Sequence, residues 1–280
     1  MKQITFLSAA TALALTIFSS CTKVDLVEQP AENELNKIKP AKSNCQSLSF
    51  VINNDWDYAP FQKTIDPLTH KISAIKAGVY TIVVQELLDM DVRYKNNNAY
   101  LLAKGSTTDT IMKASFDKSG KLLSIVGGNK PNENYLPTYF SYNKSGRVSE
   151  MKIGFMGSQL VRKFYYDGNG NCIMRKEMEG SGYVAYTYNP AGKAAGQAYF
   201  HEPVGFSENT FVLAKYMEWL PSLKPVNIMT KTVVFWDDYQ AMDATLTDHQ
   251  LDAKGNLLSY KVSGITHSTT WNCGSSPIKF

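Results

Sequence analysis

One seven-residue pattern recurs along this chain and leaves few folds open to it. The pattern is an aromatic residue, Asp or Asn, two variable residues, Gly, a polar residue and an apolar one. It reads FDKSGKL at 116–122, YNKSGRV at 142–148, YDGNGNC at 166–172 and YNPAGKA at 188–194. LDAKGNL at 251–257 has Leu in the aromatic place, and IDPLTHKI at 65–72 is a weaker copy without the glycine. Asp or Asn at the first corner bonds the backbone two residues on, which favours a type I turn. A glycine three residues later takes the left-handed conformation at little steric cost and completes a G1 bulge. The copies therefore predict hairpin corners at Gly120, Gly146, Gly170, Gly192 and Gly255. The aromatic before each corner and the apolar residue after it then face each other across the ladder.

The flanks have the period of strands. Arg162, Phe164 and Tyr166 fall on one face, and Leu258, Tyr260 and Val262 alternate with Ser259 and Lys261. The first four glycines stand 26, 24 and 22 residues apart, enough for two strands and two turns per unit. The expected fold is all-β, an antiparallel meander of repeated hairpins forming a repeat sheet. Residues 201–232 interrupt the period. Within them NTFVLAKYMEWL sets Leu213, Met217 and Leu220 at helical spacing, and Pro221 stops the run. This predicts one short amphipathic helix packed on the sheet, its aromatic stripe serving the core; the alternative is that the stripe lines a ligand groove.

The first residues carry an address. Lys2 precedes an apolar stretch from Ile4 to Phe18, then Ser19, Ser20 and Cys21. A basic start, a short apolar segment and small residues before a cleavage point make a secretory signal. FSSC resembles the lipobox of bacterial lipoproteins. That resemblance implies diacylation of the Cys21 sulfur, cleavage before it and anchoring to a bilayer. Residues 22–44 mix Pro, Glu, Lys and Asn with few large apolar side chains and read as a tether. The organisation expected is thus a signal peptide at 1–20, lipidated Cys21 and tether at 21–44, and a hairpin-repeat domain at 45–280. Acidic residues soon after the lipid Cys resemble the surface-export signal of Bacteroidetes lipoproteins, although Lys23 interrupts it, so the domain faces either the cell surface or the periplasm.

The repeated units resemble the YD repeats of RHS-type proteins. The chain as a whole is similar to uncharacterised Bacteroidetes lipoproteins that join a lipobox, a polar tether and a domain of unknown function made of such hairpins. The resemblance covers roughly residues 50–265 and implies a fold and an outer-membrane address, with no activity. The few units and the long insertion differ from RHS arrays and argue against a closed shell of that kind.

The remaining chemistry is sparse. A net charge of +4 favours neither nucleic acid nor an anionic partner. Cys45, Cys172 and Cys273 show no C-x-x-C spacing, so no metal is expected. Cys45 opens the folded region and Cys273 closes it, so the two can bridge in an oxidising compartment; the alternative is three buried thiols. His70, His201, His249 and His267 lack metal-ligand spacing. DGNGN at 167–171 begins like a calcium loop, but Cys172 and Met178 stand where that loop needs Gly and Glu. Asp55 and Asp57 flank Trp56, and Asp237 and Asp238 follow Trp236. Sugar-cleaving pairs must sit about 5–9 Å apart, which no spacing here sets. The reading is a non-enzymatic binding or scaffolding module without cofactor, anchored by Cys21, with a glycan or peptide ligand or an envelope protein partner. The alternative is a hydrolase acting on an envelope or extracellular glycan polymer.

Overall fold

The repeat's geometry is local and regular in the computed structural model, which describes residues 45–53, 61–80, 85–129, 136–155, 158–178, 182–194, 209–236 and 239–273. Gly120, Gly146, Gly170 and Gly255 stand at φ +82°, +77°, +96° and +81°. Each donates its N–H to the carbonyl of the Asp or Asn three residues back. The Asp side chain completes the corner: Asp117 Oδ1 accepts from the Ser119 and Lys121 amides, and Asp252 Oδ1 from Lys254 and Asn256. In the 65–72 copy the loop is one residue longer, and His70 takes the left-handed place at φ +55°.

These corners join strands in sequence order. The first eight are β1 (Gln46–Asn53), β2 (Phe61–Ile65), β3 (Ile72–Tyr80), β4 (Gln85–Lys95), β5 (Asn98–Ala103), β6 (Thr110–Phe116), β7 (Leu122–Gly127) and β8 (Thr138–Tyr142). The second eight are β9 (Val148–Phe155), β10 (Ser158–Tyr166), β11 (Cys172–Glu177), β12 (Tyr183–Lys193), β13 (Asn227–Trp236), β14 (Tyr239–Leu251), β15 (Leu257–Val262) and β16 (Ile265–Asn272). Every neighbouring pair is antiparallel, so the fold is a meander. The open repeat sheet expected from the sequence is corrected: β1 pairs with β16 and the sixteen strands close into a barrel. Closure follows from curvature. Phe116 pairs with Leu122, Tyr142 with Val148, Tyr166 with Cys172 and Leu251 with Leu257, and the register shifts beside each of these pairs. A bulge repeated beside these four corners adds to the coiling of the sheet each time. The bulge at Leu258 also moves that side chain off the face of Tyr260 and out to solvent.

The aromatic residue of the repeat has a second use. Tyr142 Oη donates to the Leu122 carbonyl at 2.8 Å, Tyr166 Oη to Val148 at 2.8 Å and Tyr188 Oη to Cys172 at 2.7 Å. Trp271 Nε1 makes the same bond to the Leu257 carbonyl at 2.8 Å. The β8–β9, β10–β11 and β12–β13 hairpins and the last strand are thus each stapled to the hairpin before them at its post-turn carbonyl. Burial pushes the Tyr142 phenol up to about 12 and raises Tyr166 too, so both stay protonated donors.

Gly192 differs from the other four and corrects the hairpin expectation there. It lies inside β12, where the register jumps between Asn189 and Lys193, and its φ is not positive. Lys193 pairs with Asn227, thirty-four positions on, so the motif closes no tight hairpin here. A Cβ at Gly192 would meet the Asn189 side chain at 3.0 Å and Ile228 Cδ1 at 3.2 Å, so close approach explains the glycine.

The helix of the insertion, α1 (Asn209–Tyr216), is four residues shorter than the spacing predicts, and it lies inside the barrel. Residues from 209 to 227 reach the inner wall on many sides. Thr210 bonds Thr138 of β8, Phe211 packs on Phe164 of β10, and Tyr216 packs on Phe61 of β2. Trp219 meets Phe116 of β6 edge-on, and Ser222 accepts from the Val148 amide of β9.

Tyr166→Phe removes one staple and leaves the Val148 carbonyl short of a partner, for a loss of about 1–2 kcal/mol in urea unfolding. Gly146→Ala forces a Cβ into the left-handed region at φ +77° and costs about 1–2 kcal/mol. Gly192→Ala leaves the backbone unstrained, so its cost is the smaller of the two.

Candidate functional site

Alternation along the strands separates an apolar inner wall from a charged outer one. Met112 and Ala114 of β6, and Met151 and Ile153 of β9, are almost fully buried. Their neighbours Lys113, Glu150 and Lys152 face outward, as do Lys163 and Lys176, which pair across β10 and β11. A membrane-spanning barrel shows the reverse pattern, with an apolar band outside, and Lys or Arg at its midplane costs about 2–4 kcal/mol each. The inner residues and the insertion from Phe211 to Leu223 form one hydrophobic cluster that packs the described lumen.

The strongest polar constellation pins this plug to the barrel seam. Glu218 is 7% exposed and stands at φ +58°, a strained place for a non-glycine residue. Its Oε1 accepts from the Ser47 amide at 2.8 Å, the Ser47 hydroxyl at 2.6 Å and Lys63 Nζ at 2.9 Å. Lys224 donates to Oε2. Burial would raise the Glu218 carboxyl, but Lys224, Lys63 and the Ser47 hydroxyl outweigh it and hold it well below the carboxylate range. Burial lowers Lys63 despite the opposing pull of Glu218. A second inner pair, Arg162 with Glu177, lies on the wall between β10 and β11. Both pairs are saturated by their own partners and have the character of structural locks.

The residues singled out in the sequence scatter. Cys45 and Cys273 form a disulfide that closes a span of 228 residues across the β1–β16 seam, and Cys172 is a buried free thiol. His249 bonds the Met229 carbonyl, His267 stacks on Tyr260, and His70 is an exposed turn residue. Among the described residues no group of three His, Cys, Asp or Glu could hold a metal ion. Cys21, Asp55, Asp57, His201, Asp237 and Asp238 lie outside the described residues. The Glu218 cluster was missed in the sequence. Its one signal is a carboxylate between Met217 and Trp219 in an otherwise apolar run.

The two rims differ. The repeat corners, the Cys45–Cys273 bridge and both ends of the barrel chain share one rim, because the β16-to-β1 seam falls in step with the β2–β3, β6–β7, β8–β9, β10–β11 and β14–β15 hairpins. The opposite rim shows Trp236, Tyr239 and Met242, with Trp236 directly across from Tyr239.

A closed, plugged, antiparallel β-barrel with a polar exterior is the class these features define. Its fold matches that of two crystal structures described as porin-like proteins. One, from Bacteroides uniformis ATCC 8492, has a TM-score of 0.56 and 13% identity over 82% of this chain and 99% of that one. The other, from Bacteroides vulgatus ATCC 8482, has a TM-score of 0.53 and 10% identity over 81% and 98%. The TcdB2-TccC3-Cdc42 crystal structure overlaps at a TM-score of only 0.30 over 12% of its chain, too loosely to bear on the fold. No family model matches the chain, and no curated protein does.

Glu218→Gln leaves Lys63 buried opposite a neutral group and should cost about 3–5 kcal/mol in denaturant unfolding. The depressed Glu218 carboxyl contributes stability that is fully present above its unfolded value of 4.5 and fades as pH falls below it. The wild type should therefore lose stability between neutral pH and pH 3 more steeply than Glu218→Gln does.

Proposed function

We propose that this chain is an outer-membrane lipoprotein, held by acylated Cys21, whose barrel is a non-enzymatic binding or scaffolding module. The observation that carries this is the plugged lumen inside a charged wall. Among the described residues the lumen is packed with apolar side chains and the outer wall carries charge, which favours the rims and the outer surface as the working parts. The porin-like neighbours lend the fold and a Bacteroides setting, and their description is not transferred to this chain. The FSSC sequence supports the anchor, and the disulfide fits an oxidising envelope compartment. Trp236 and Tyr239, exposed and opposite each other in the ladder on the rim away from the chain ends, offer flat area at low entropic cost to a glycan or an extended peptide.

Two measurements test this. Intact mass of the protein extracted from membranes should show a mature chain beginning at Cys21 with acyl groups, and Cys21→Ala should abolish them. Protein added to planar bilayers should give no stepwise conductance; discrete channels would overturn the plugged-barrel reading.

A further inference from the structure

We infer that the corner-bearing rim of the barrel is a bilayer-docking surface that seats on anionic lipid headgroups. This rests on the lipoprotein reading and adds an orientation to it. Three observations converge on that rim.

The first is where the chain arrives. Residues 21–44 join the barrel at Cys45, on the rim of the repeat corners. A flexible tether of that length, as the sequence leads one to expect, would span about 25 Å. The rim that receives the tether is therefore held close to the anchored membrane, at a high effective concentration, so weak contacts suffice to seat it.

The second is charge. The corner segments 66–71, 95–98, 117–121, 143–147, 167–171 and 252–256 hold seven Lys or Arg against four Asp. The Asp66, Asp117 and Asp252 carboxylates are engaged by amides of their own loops. Lys95, Lys118, Lys144 and Lys254 stand exposed. Lys121 and Arg147 lie over the Tyr142 and Tyr166 rings, which fixes their charge at the rim. Each such cation near an anionic leaflet strengthens partitioning about fivefold.

The third is the apolar complement. Leu68 is 89% exposed at the tip of the β2–β3 hairpin, and Leu123, Leu251 and Leu258 stand exposed beside other corners. Aliphatic side chains on stiff hairpins among lysines suit the boundary between headgroups and acyl chains. The large exposed apolar residues of the opposite rim, Trp236, Tyr239 and Met242, have a different character. Docked in this way, the barrel directs that second rim away from the bilayer.

The test uses acylated protein in vesicles of phosphatidylcholine with phosphatidylglycerol, carrying a headgroup nitroxide quencher. A fluorophore is placed at Ser119→Cys on the corner rim or at Ser263→Cys on the other; Cys172, the remaining free thiol, is buried. Quenching should be several-fold stronger at Ser119→Cys. The contrast should disappear in high salt and in the triple variant Lys118→Glu, Lys144→Glu, Lys254→Glu, and should shrink in Leu68→Ser and on pure phosphatidylcholine. Acylated protein that floats with the vesicles but is quenched equally at both sites, or more at Ser263→Cys, overturns the docking inference and leaves the anchor intact. Protein that lacks acyl mass and does not float overturns the lipoprotein reading, and the docking inference with it.

Discussion

The structure depends on a single repeated bond, from the ring of one hairpin to the backbone of the hairpin before it. A lone hairpin is marginal in water. Here the Tyr142, Tyr166 and Tyr188 hydroxyls each occupy the carbonyl left beside the preceding bulge, and Trp271 does so at the end of the chain. The bond repeats the same contact between three successive hairpins and again at the closing strand, so its effect on curvature accumulates. Sixteen strands later the first edge finds the last, and no edge remains open to pair with another chain. The Cys45–Cys273 bridge secures that seam covalently, and removing such bridges typically costs about 2–5 kcal/mol.

Closure creates a second problem, an inner wall of Met, Leu, Ile and Phe that needs covering. The chain answers it with its own insertion. Phe211, Leu213, Met217, Trp219 and Leu220 are nearly inaccessible to solvent within the lumen. The buried Glu218, gripped by Lys63 and Ser47 from the first two strands, sets the register of the plug against the wall. Inside, Glu218 is paired with Lys63 and Arg162 with Glu177, and most other described charges stand on the outer wall and the rims. That division is the reverse of the apolar outer belt and polar interior of a membrane-spanning barrel.

Much of this was legible beforehand, and the reasons are local. Corner chemistry depends on residues within five positions of each other, so the meander could be read from Asp117 and Gly120 or Asp252 and Gly255. The corner at Asn96 and Asn97 was overlooked because asparagines, at φ +51° and +58°, stand where glycine is sought. Gly192 shares the motif but serves a close contact, a difference that no seven-residue window contains. Closure was hidden because it is a sum of small repeated twists and pairs residues more than two hundred positions apart. The helix was visible by its spacing, but an apolar stripe looks the same whether it covers a sheet from outside or fills a barrel from within. Glu218 was invisible for a similar reason: Lys63 and Ser47 are 155 and 171 residues away.

The central claim is that residues 209–227 fill the lumen. Hydrogen–deuterium exchange resolved by peptide measures this directly. The account predicts that the hydrogen-bonded amides of that segment exchange only with global unfolding, together with those of β6, β9 and β10, while Trp219 stays inaccessible to an aqueous quencher. Exchange within seconds across 209–227 in an otherwise protected barrel would contradict it.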